Sequence, residues 1–167
     1  ALHSFIYKNG VDVLPVMAAA AGLLIAMIIG LVDDILGWKI GLRQYQKAIL
    51  SFLIALPMMV INAGESSISL PFFGQLSMNY FFPLLIVPIG IVGASNAFNM
   101  IAGFNGLEAR MGLIIIGTLG WLAFANHSSV GAILAACLFV SLLAFWVFNK
   151  YPAVIFPGDT LTYPVGA

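Results

Sequence analysis

The sequence VLPVMAAAAGLLIAMIIGLVDD, residues 13–34, decides the fold class. No charged side chain lies between Val13 and Val32, and two aspartates follow directly. A transmembrane helix needs about 20 apolar residues, within a range of about 17–25. The stretch therefore predicts a membrane-spanning helix near 14–32. We do not interpret it as a signal peptide, because no basic segment precedes it.

The composition of the whole chain agrees with a membrane protein. Of its 167 residues, 62% are hydrophobic and only 7% are charged. Soluble domains carry about 45–50% apolar and about 25% charged residues. The net charge is zero, which argues against nucleic acid as a partner, since a nucleic-acid-binding surface needs a basic face. We therefore expect the protein to lie in a lipid bilayer.

Further apolar stretches predict an all-α, polytopic transmembrane bundle. We expect five complete spans and the start of a truncated sixth, near 14–32, 46–62, 80–95, 111–126, 130–148 and from 160. Together they form one transmembrane catalytic domain over residues 1–167, and both of its ends look cut. The alternating residues 63–79 predict a small hairpin on the outer side.

The basic residues predict the orientation of the spans. If the chain enters the first span from outside, five of the six Lys and Arg residues lie on the inner side. This bias follows the positive-inside rule. It places three polar segments, 33–43, 96–110 and 149–163, in inner, cytoplasmic loops. The membrane would be the plasma membrane of a prokaryote or the endoplasmic reticulum of a eukaryote.

Asp33 and Asp34 are the first candidates for chemistry. Adjacent carboxylates repel each other, and at the C-terminal end of a helix they also oppose the helix dipole. This cost predicts a compensating cation, either Mg²⁺ or a basic side chain. The alternative is a solvated helix end without a chemical role.

A second candidate segment contains asparagines and glycines, in the sequence NAFNMIAGFNGLE. Asn96 and Asn99 are three residues apart and would share one face of a helical turn. Amide oxygens are suitable ligands for Mg²⁺. The glycines allow tight turns close to a ligand, and Glu108 adds a carboxylate. The alternative is that these residues only build a loop.

The remaining candidates lie in FPGDT and in the first inner loop. Asp159 either caps the next helix or places a carboxylate at a cleft, and Phe156 offers a flat face to a base. Lys39 and Arg43 are four residues apart, and they suit either a diphosphate or the anionic inner leaflet. Together the aspartates and Asn99 form an oxygen-only ligand set for Mg²⁺ on a substrate diphosphate.

These three motifs, GLVDD, NAFNMIAGFNGLE and FPGDT, resemble the polyprenyl-phosphate N-acetylhexosamine-1-phosphate transferase family. The ending Ala-Gly-x-Asn-Gly-Leu-Glu resembles the dolichyl branch of that family. The resemblance implies a middle portion of a fold of about ten helices. It implies transfer of a sugar phosphate from a UDP-amino sugar to polyprenyl or dolichyl phosphate, with UMP as the second product. Mg²⁺ is the implied cofactor, with Mn²⁺ as an alternative.

The resemblance also implies roles for individual residues. Asn99 and Asp159 match the metal ligands of the family, and Asp33 and Asp34 match its catalytic aspartate pair near the metal and the phosphates. The nucleotide-sugar site would be formed by Gly103, Asn105, Glu108 and Phe156, with Asn96 in support.

The family's lysine nine residues after the second aspartate is Arg43 here, so that Arg43 and Lys39 would bind phosphate. Arg43 keeps a cation at this position, although Arg and Lys are not interchangeable at a tight phosphate site. Asp33 could hold the acceptor or metal waters, or act as a nucleophile in a two-step route.

The rival hypothesis is a transporter or flippase-like protein that binds a nucleotide sugar or a lipid without chemistry. Polar residues at mid-membrane would favour it, whereas here they cluster at the predicted inner edge. The sequence leaves the oligomeric state open, with a homodimer among the alternatives.

Overall fold

The computed structural model describes the backbone of residues 13–62, 67–70, 74–77, 80–101 and 103–167. The side chains of residues 38–40 and of the two strands lie outside that description. The elements follow in the order α1 (Val13–Ile40), α2 (Gln44–Val60), β1 (Ser67–Leu70), β2 (Gly74–Ser77), a π-helical turn (Phe82–Ile86), α3 (Val87–Ile101), α4 (Leu107–Ala125), α5 (Ser129–Asn149) and α6 (Asp159–Gly166).

The predicted helical class is confirmed, and the hairpin predicted within residues 63–79 is also present. Strands β1 and β2 pair in antiparallel register, with Ser67 opposite Ser77 and Leu70 opposite Gly74. The other residues of that segment lie outside the description.

Four described helical segments are long and apolar enough to cross a membrane: Val13–Gly37, Phe82–Ile101, Leu107–Ala125 and Ser129–Asn149. Helix α2 has 17 residues, which corresponds to a length of about 26 Å. This is slightly less than the hydrocarbon core of about 30 Å. The count of five complete spans therefore remains a prediction that depends on α2.

Two predicted helix ends are wrong in the same direction. Helix α1 continues past the aspartates to Ile40, and α3 continues past Asn96 and Asn99 to Ile101. Asp33 and Asp34 therefore do not lie at a helix C-terminus, and the asparagines do not lie in a loop. The helices continue because these polar side chains find partners on neighbouring helices, which removes the cost that would have ended the span there.

The short helix α6 lies between α1 and α3, and α4 packs on α5. Tyr163 of α6 is fully buried in an apolar cluster with Ala26, Ile29 and Ile54. Large apolar side chains cover the outer surface of the bundle, for example Leu24 at 59% and Trp121 at 71% exposure. This distribution suits contact with lipid, and the placement of α6 brings its first residues beside the aspartates of α1.

The contact of α1 with α6 depends on Gly30. A Cβ atom at this position would overlap the backbone carbonyl group of Asp159. We expect Gly30→Ala to lower the free energy of unfolding by about 1–3 kcal/mol, because two backbones would have to move apart. Gly37→Ala is the matched control, since nothing lies within 4 Å of its Cβ position. Thermal unfolding in detergent measures both variants, and equal stability would contradict this packing.

Candidate functional site

A basic side chain lies between two aspartates at one end of the bundle. The Nζ atom of Lys47, in the first turn of α2, is 2.5 Å from Asp33 Oδ2 and 2.7 Å from Asp159 Oδ2. The three side chains are 9–22% exposed. The other oxygen of Asp33 accepts a hydrogen bond of 2.8 Å from the backbone N–H of Leu42. The compensating cation that the aspartate pair predicts is thus Lys47 in this structure.

Asp34 contacts the start of α6 instead. Its Oδ1 accepts a hydrogen bond from the backbone N–H of Asp159 at 2.8 Å. Its Oδ2 accepts from the backbone N–H of Thr160 at 2.9 Å and from the Thr160 hydroxyl at 2.6 Å. The adjacent aspartates of α1 therefore face different partners.

Asn96 and Asn99 both reach α6 from α3, as their shared helical face predicts. Asn99 Oδ1 accepts a hydrogen bond of 2.7 Å from the hydroxyl of Thr162. Asn96 Oδ1 accepts one of 3.3 Å from Tyr163, and its amide donates to Ser51 Oγ at 3.1 Å. These bonds satisfy polar groups inside the bundle, hold α6 against α3, and join α3 to α2.

The pKa of Asp159, which lies outside the predicted spans, responds to burial and to its charged neighbours. Burial, the largest cause, raises the pKa of Asp159 above its ordinary value, and the neighbouring Asp33 carboxyl raises it further. The ammonium group of Lys47 acts in the opposite direction. A cation beside this carboxyl group therefore favours its ionised form.

A second group of predicted residues forms a compact turn before α4. Glu108 is 1% exposed, and its Oε1 accepts a hydrogen bond of 2.5 Å from the backbone N–H of Gly103. Gly103 has φ of 142° and Gly106 has φ of 72°, values that favour glycine. Asn105 is half-buried in the same turn. Glu108 Oε2 is buried without a hydrogen-bond partner among the described residues.

The loop after α5 lies beside this turn. A Cβ atom at Gly106 would contact Asn149 and Lys150 at 3.3–3.5 Å. The fully buried Asn149 donates from Nδ2 to the carbonyl of Ile155 at 2.9 Å and so shapes the loop that carries Phe156. The Phe156 ring is 54% exposed. The loop that carries Phe156 therefore begins beside the turn of Gly103–Glu108.

The structure separates the predicted site residues into two groups. Asp33, Asp34, Asn99 and Asp159 meet around the first turns of α6, and Asn96 lies one turn deeper in the bundle. The turn of Gly103–Glu108 and the loop of Phe156 form the other group. Within the described part of the chain, no hydrogen bond or ion pair joins the two groups.

Of the two predicted phosphate-binding residues, Arg43 is not part of either group. Arg43 directly precedes α2, is exposed, and donates its backbone N–H to Gln46 Oε1 at 2.9 Å. The side chain of Lys39 lies outside the described residues. Their phosphate contacts remain predictions.

Sequence reasoning missed Lys47, Thr160, Thr162, Tyr163 and Asn149. Lys47 is 112 residues from Asp159 along the chain, so the sequence around Lys47 does not show which acid it contacts. A usable signal for Lys47 was its place at the start of an apolar span, where a lysine must find either the interface or an acid.

The donor set fits a divalent cation in its chemistry. Asp33 Oδ2 and Asp159 Oδ2 converge on one point of positive charge, now the ammonium group of Lys47. The amide oxygen of Asn99 accepts a hydrogen bond from Thr162, which lies on the same short helix as Asp159. No cluster of three or more His, Cys, Asp or Glu side chains suited to a metal occurs among the described residues. A metal here would therefore need Asn99, substrate oxygens or water as further ligands.

Residues 16–167 match the sequence profile described as "Glycosyl transferase family 4". The chain belongs to this family. Glycosyl transferase family 4 thus covers α1 to α6 and every predicted site residue, which confirms the resemblance seen in the three motifs. The roles of the individual residues remain predictions.

Named relatives are similar along most of this chain. It is 40% identical over 150 residues to the "Putative UDP-N-acetylglucosamine--dolichyl-phosphate N-acetylglucosaminephosphotransferase" of Saccharolobus solfataricus, covering 88% of this chain and 45% of that protein. The protein of the same name from Sulfolobus acidocaldarius is 33% identical over 172 residues, covering 99% and 50%.

A bacterial protein is also similar. The phospho-N-acetylmuramoyl-pentapeptide-transferase of Lactobacillus delbrueckii subsp. bulgaricus is 34% identical over 148 residues, covering 83% of this chain and 45% of that protein. The chain spans about half the length of the curated relatives it matches.

Proposed function

We propose that the protein transfers N-acetylglucosamine-1-phosphate from UDP-GlcNAc to a polyprenyl phosphate of the dolichyl type, in a Mg²⁺-dependent reaction. The products are lipid-diphosphate-GlcNAc and UMP, and the reaction is a first membrane step of N-glycan or cell-envelope assembly. The observation that carries the proposal is the convergence of Asp33 and Asp159 on one cation, while Asn99 bonds to the helix that carries Asp159. The names of the archaeal relatives support the substrate class.

The bond changes follow from the substrates. An oxygen of the lipid phosphate bonds to the β-phosphorus of UDP-GlcNAc, and the bond from that phosphorus to the bridging oxygen of UMP breaks. A phosphate monoester has a second pKa of about 6, so the acceptor is largely ionised near neutral pH. The main tasks of the protein are therefore to position the lipid phosphate and the diphosphate of UDP-GlcNAc and to stabilise their negative charge. Removal of a proton from the acceptor matters less.

Asp33, Asn99 and Asp159 would hold Mg²⁺. The chemistry that Mg²⁺ supplies when bound is neutralisation of charge on the diphosphate and on the departing UMP. Lys47 then offers its ammonium group to phosphate oxygens as well as to the carboxylates. Both oxygens of Asp33 already accept a hydrogen bond or an ion pair, which favours direct transfer over a covalent intermediate on Asp33.

The turn of Gly103–Glu108 would receive the nucleotide. Its glycines allow the backbone to approach a ligand closely, and the exposed ring of Phe156 offers a face for stacking with uracil. Arg43 and Lys39 would add positive charge for phosphate. The proposed orientation places all these groups at the inner, cytoplasmic face of a multi-pass membrane protein.

The test is an assay of the full-length protein in detergent or vesicles with UDP-GlcNAc, polyprenyl phosphate and Mg²⁺. We expect release of UMP that stops when the lipid phosphate is omitted or when EDTA removes the metal. UDP-MurNAc-pentapeptide in place of UDP-GlcNAc separates the substrate of the bacterial relative from that of the archaeal ones. The rival transporter predicts uptake of labelled UDP-GlcNAc into vesicles without release of UMP.

A further inference from the structure

The carboxylate of Asp34 contacts only neutral donors in the described part of the chain. Its three hydrogen bonds come from the backbone N–H of Asp159, the backbone N–H of Thr160 and the Thr160 hydroxyl, at 2.8, 2.9 and 2.6 Å. Asp33, by contrast, faces the ammonium group of Lys47. These contacts are typical of a side chain that orders the backbone at the start of α6. They are not typical of a side chain that binds a charged ligand.

These contacts are an N-cap supplied from another helix. The first N–H groups of a helix lack partners inside the helix, and the residue before the helix usually provides one. Here that residue is Gly158, which forms no side-chain cap. A Cβ atom at Gly158 would overlap the Asp34 carboxylate, so glycine leaves the room that Asp34 uses. A negative charge at this helix end is also favourable.

We infer that Asp34 is a positioning residue that caps α6 from α1 and thereby sets the place of the Asp159 carboxylate beside Lys47. The adjacent aspartates then have different tasks. Asp33 belongs to the charged site, and Asp34 holds the first turn of α6 in place. The effect on transfer rests on the proposed function, whereas the capping contact itself can be measured without activity.

A double-mutant cycle on stability tests the contact. The variants are Asp34→Ala, Thr160→Val, their combination, and Thr160→Ser as the matched control that keeps the hydroxyl. We expect Thr160→Val to lower the Tm by about 2–4 °C, because the hydrogen bond from the Thr160 hydroxyl to Asp34 Oδ2 is lost. In the Asp34→Ala background, which has no acceptor at this position, the same change should have almost no effect, and Thr160→Ser should unfold like the wild type. Additive losses in the double variant would overturn the inference.

Kinetics then separate positioning from ligand contact. We expect both Asp34→Asn and Thr160→Val to lower kcat by about 10- to 100-fold, since a small displacement of a reacting group has such an effect. The KM for UDP-GlcNAc should stay close to the wild-type value, and Thr160→Ser should restore kcat. Wild-type kcat in Thr160→Val together with a defect in Asp34→Asn would show that Asp34 contacts a ligand, which overturns the inference.

A wild-type protein that releases no UMP would refute the proposed function, and the stability cycle would still decide the role of Asp34.

Discussion

Asp159→Asn and Asp33→Asn are each expected to lower Mg²⁺-dependent transfer by about 100-fold or more, through kcat. Each change removes one of the two carboxylates that converge on a single cation. Loss of one charge-stabilising group in an active site typically has an effect of about 10²–10³-fold. The measurement is UMP release under saturating UDP-GlcNAc, at several Mg²⁺ concentrations.

The Mg²⁺ dependence makes this prediction specific. Both variants should need a higher Mg²⁺ concentration for half-maximal rate, because each loses a proposed oxygen ligand. Asp34→Asn is the matched comparison, since the positioning role predicts a loss of kcat with a smaller change in Mg²⁺ requirement. Wild-type transfer in both Asp33→Asn and Asp159→Asn would show that the assignment of the site is wrong.

Lys47→Met is expected to have the second large effect. It leaves Asp33 and Asp159 facing each other without their shared cation, and like charges at close range in a partly buried site repel. Breaking a fully buried ion pair from one side costs about 3–5 kcal/mol. Because the Lys47 side chain is 22% exposed, we expect a smaller loss of unfolding free energy, about 1–3 kcal/mol.

Added Mg²⁺ provides the diagnostic readout for this variant. If the two carboxylates can share a divalent ion, Mg²⁺ should raise the Tm of Lys47→Met more than that of the wild type, since the ion binds only the folded site. Arg43→Met is the control for stability, because Arg43 is exposed on the same side and is expected to change stability by less than about 0.5 kcal/mol. Equal Tm values for Lys47→Met and wild type would contradict the bridging role of Lys47.

The fold was predictable where its cause is local. Uncharged stretches of the length of a bilayer predict helices directly, and α1, α4 and α5 lie where the charge gaps place them. The helix ends were not predictable in this way. The sequence shows two aspartates after Val32, but it does not show that Lys47 and the first turn of α6 compensate them, so that α1 continues to Ile40.

In the candidate site too, contacts between residues close in sequence were predictable, and contacts between distant residues were not. The bond between Glu108 and Gly103 spans five residues, and a motif that contains both residues predicts their proximity. The contact of Lys47 with Asp159 spans 112 residues and exists only because α6 packs between α1 and α3. Thr160, Thr162 and Tyr163 follow Asp159 in one short helix, and their side chains gain a role only when that helix lies against Asp34, Asn99 and Asn96.

The chemical difference between sugar-phosphate transfer and sugar transfer gives the most direct test of the central claim. The full-length protein would be supplied with UDP-GlcNAc carrying ³²P in the β-phosphate, together with polyprenyl phosphate and Mg²⁺. Attack on the β-phosphorus predicts that the label moves into the lipid fraction as lipid-diphosphate-GlcNAc, with unlabelled UMP left in water. Label that stays in the aqueous phase as UDP, with GlcNAc alone on the lipid, would contradict the account.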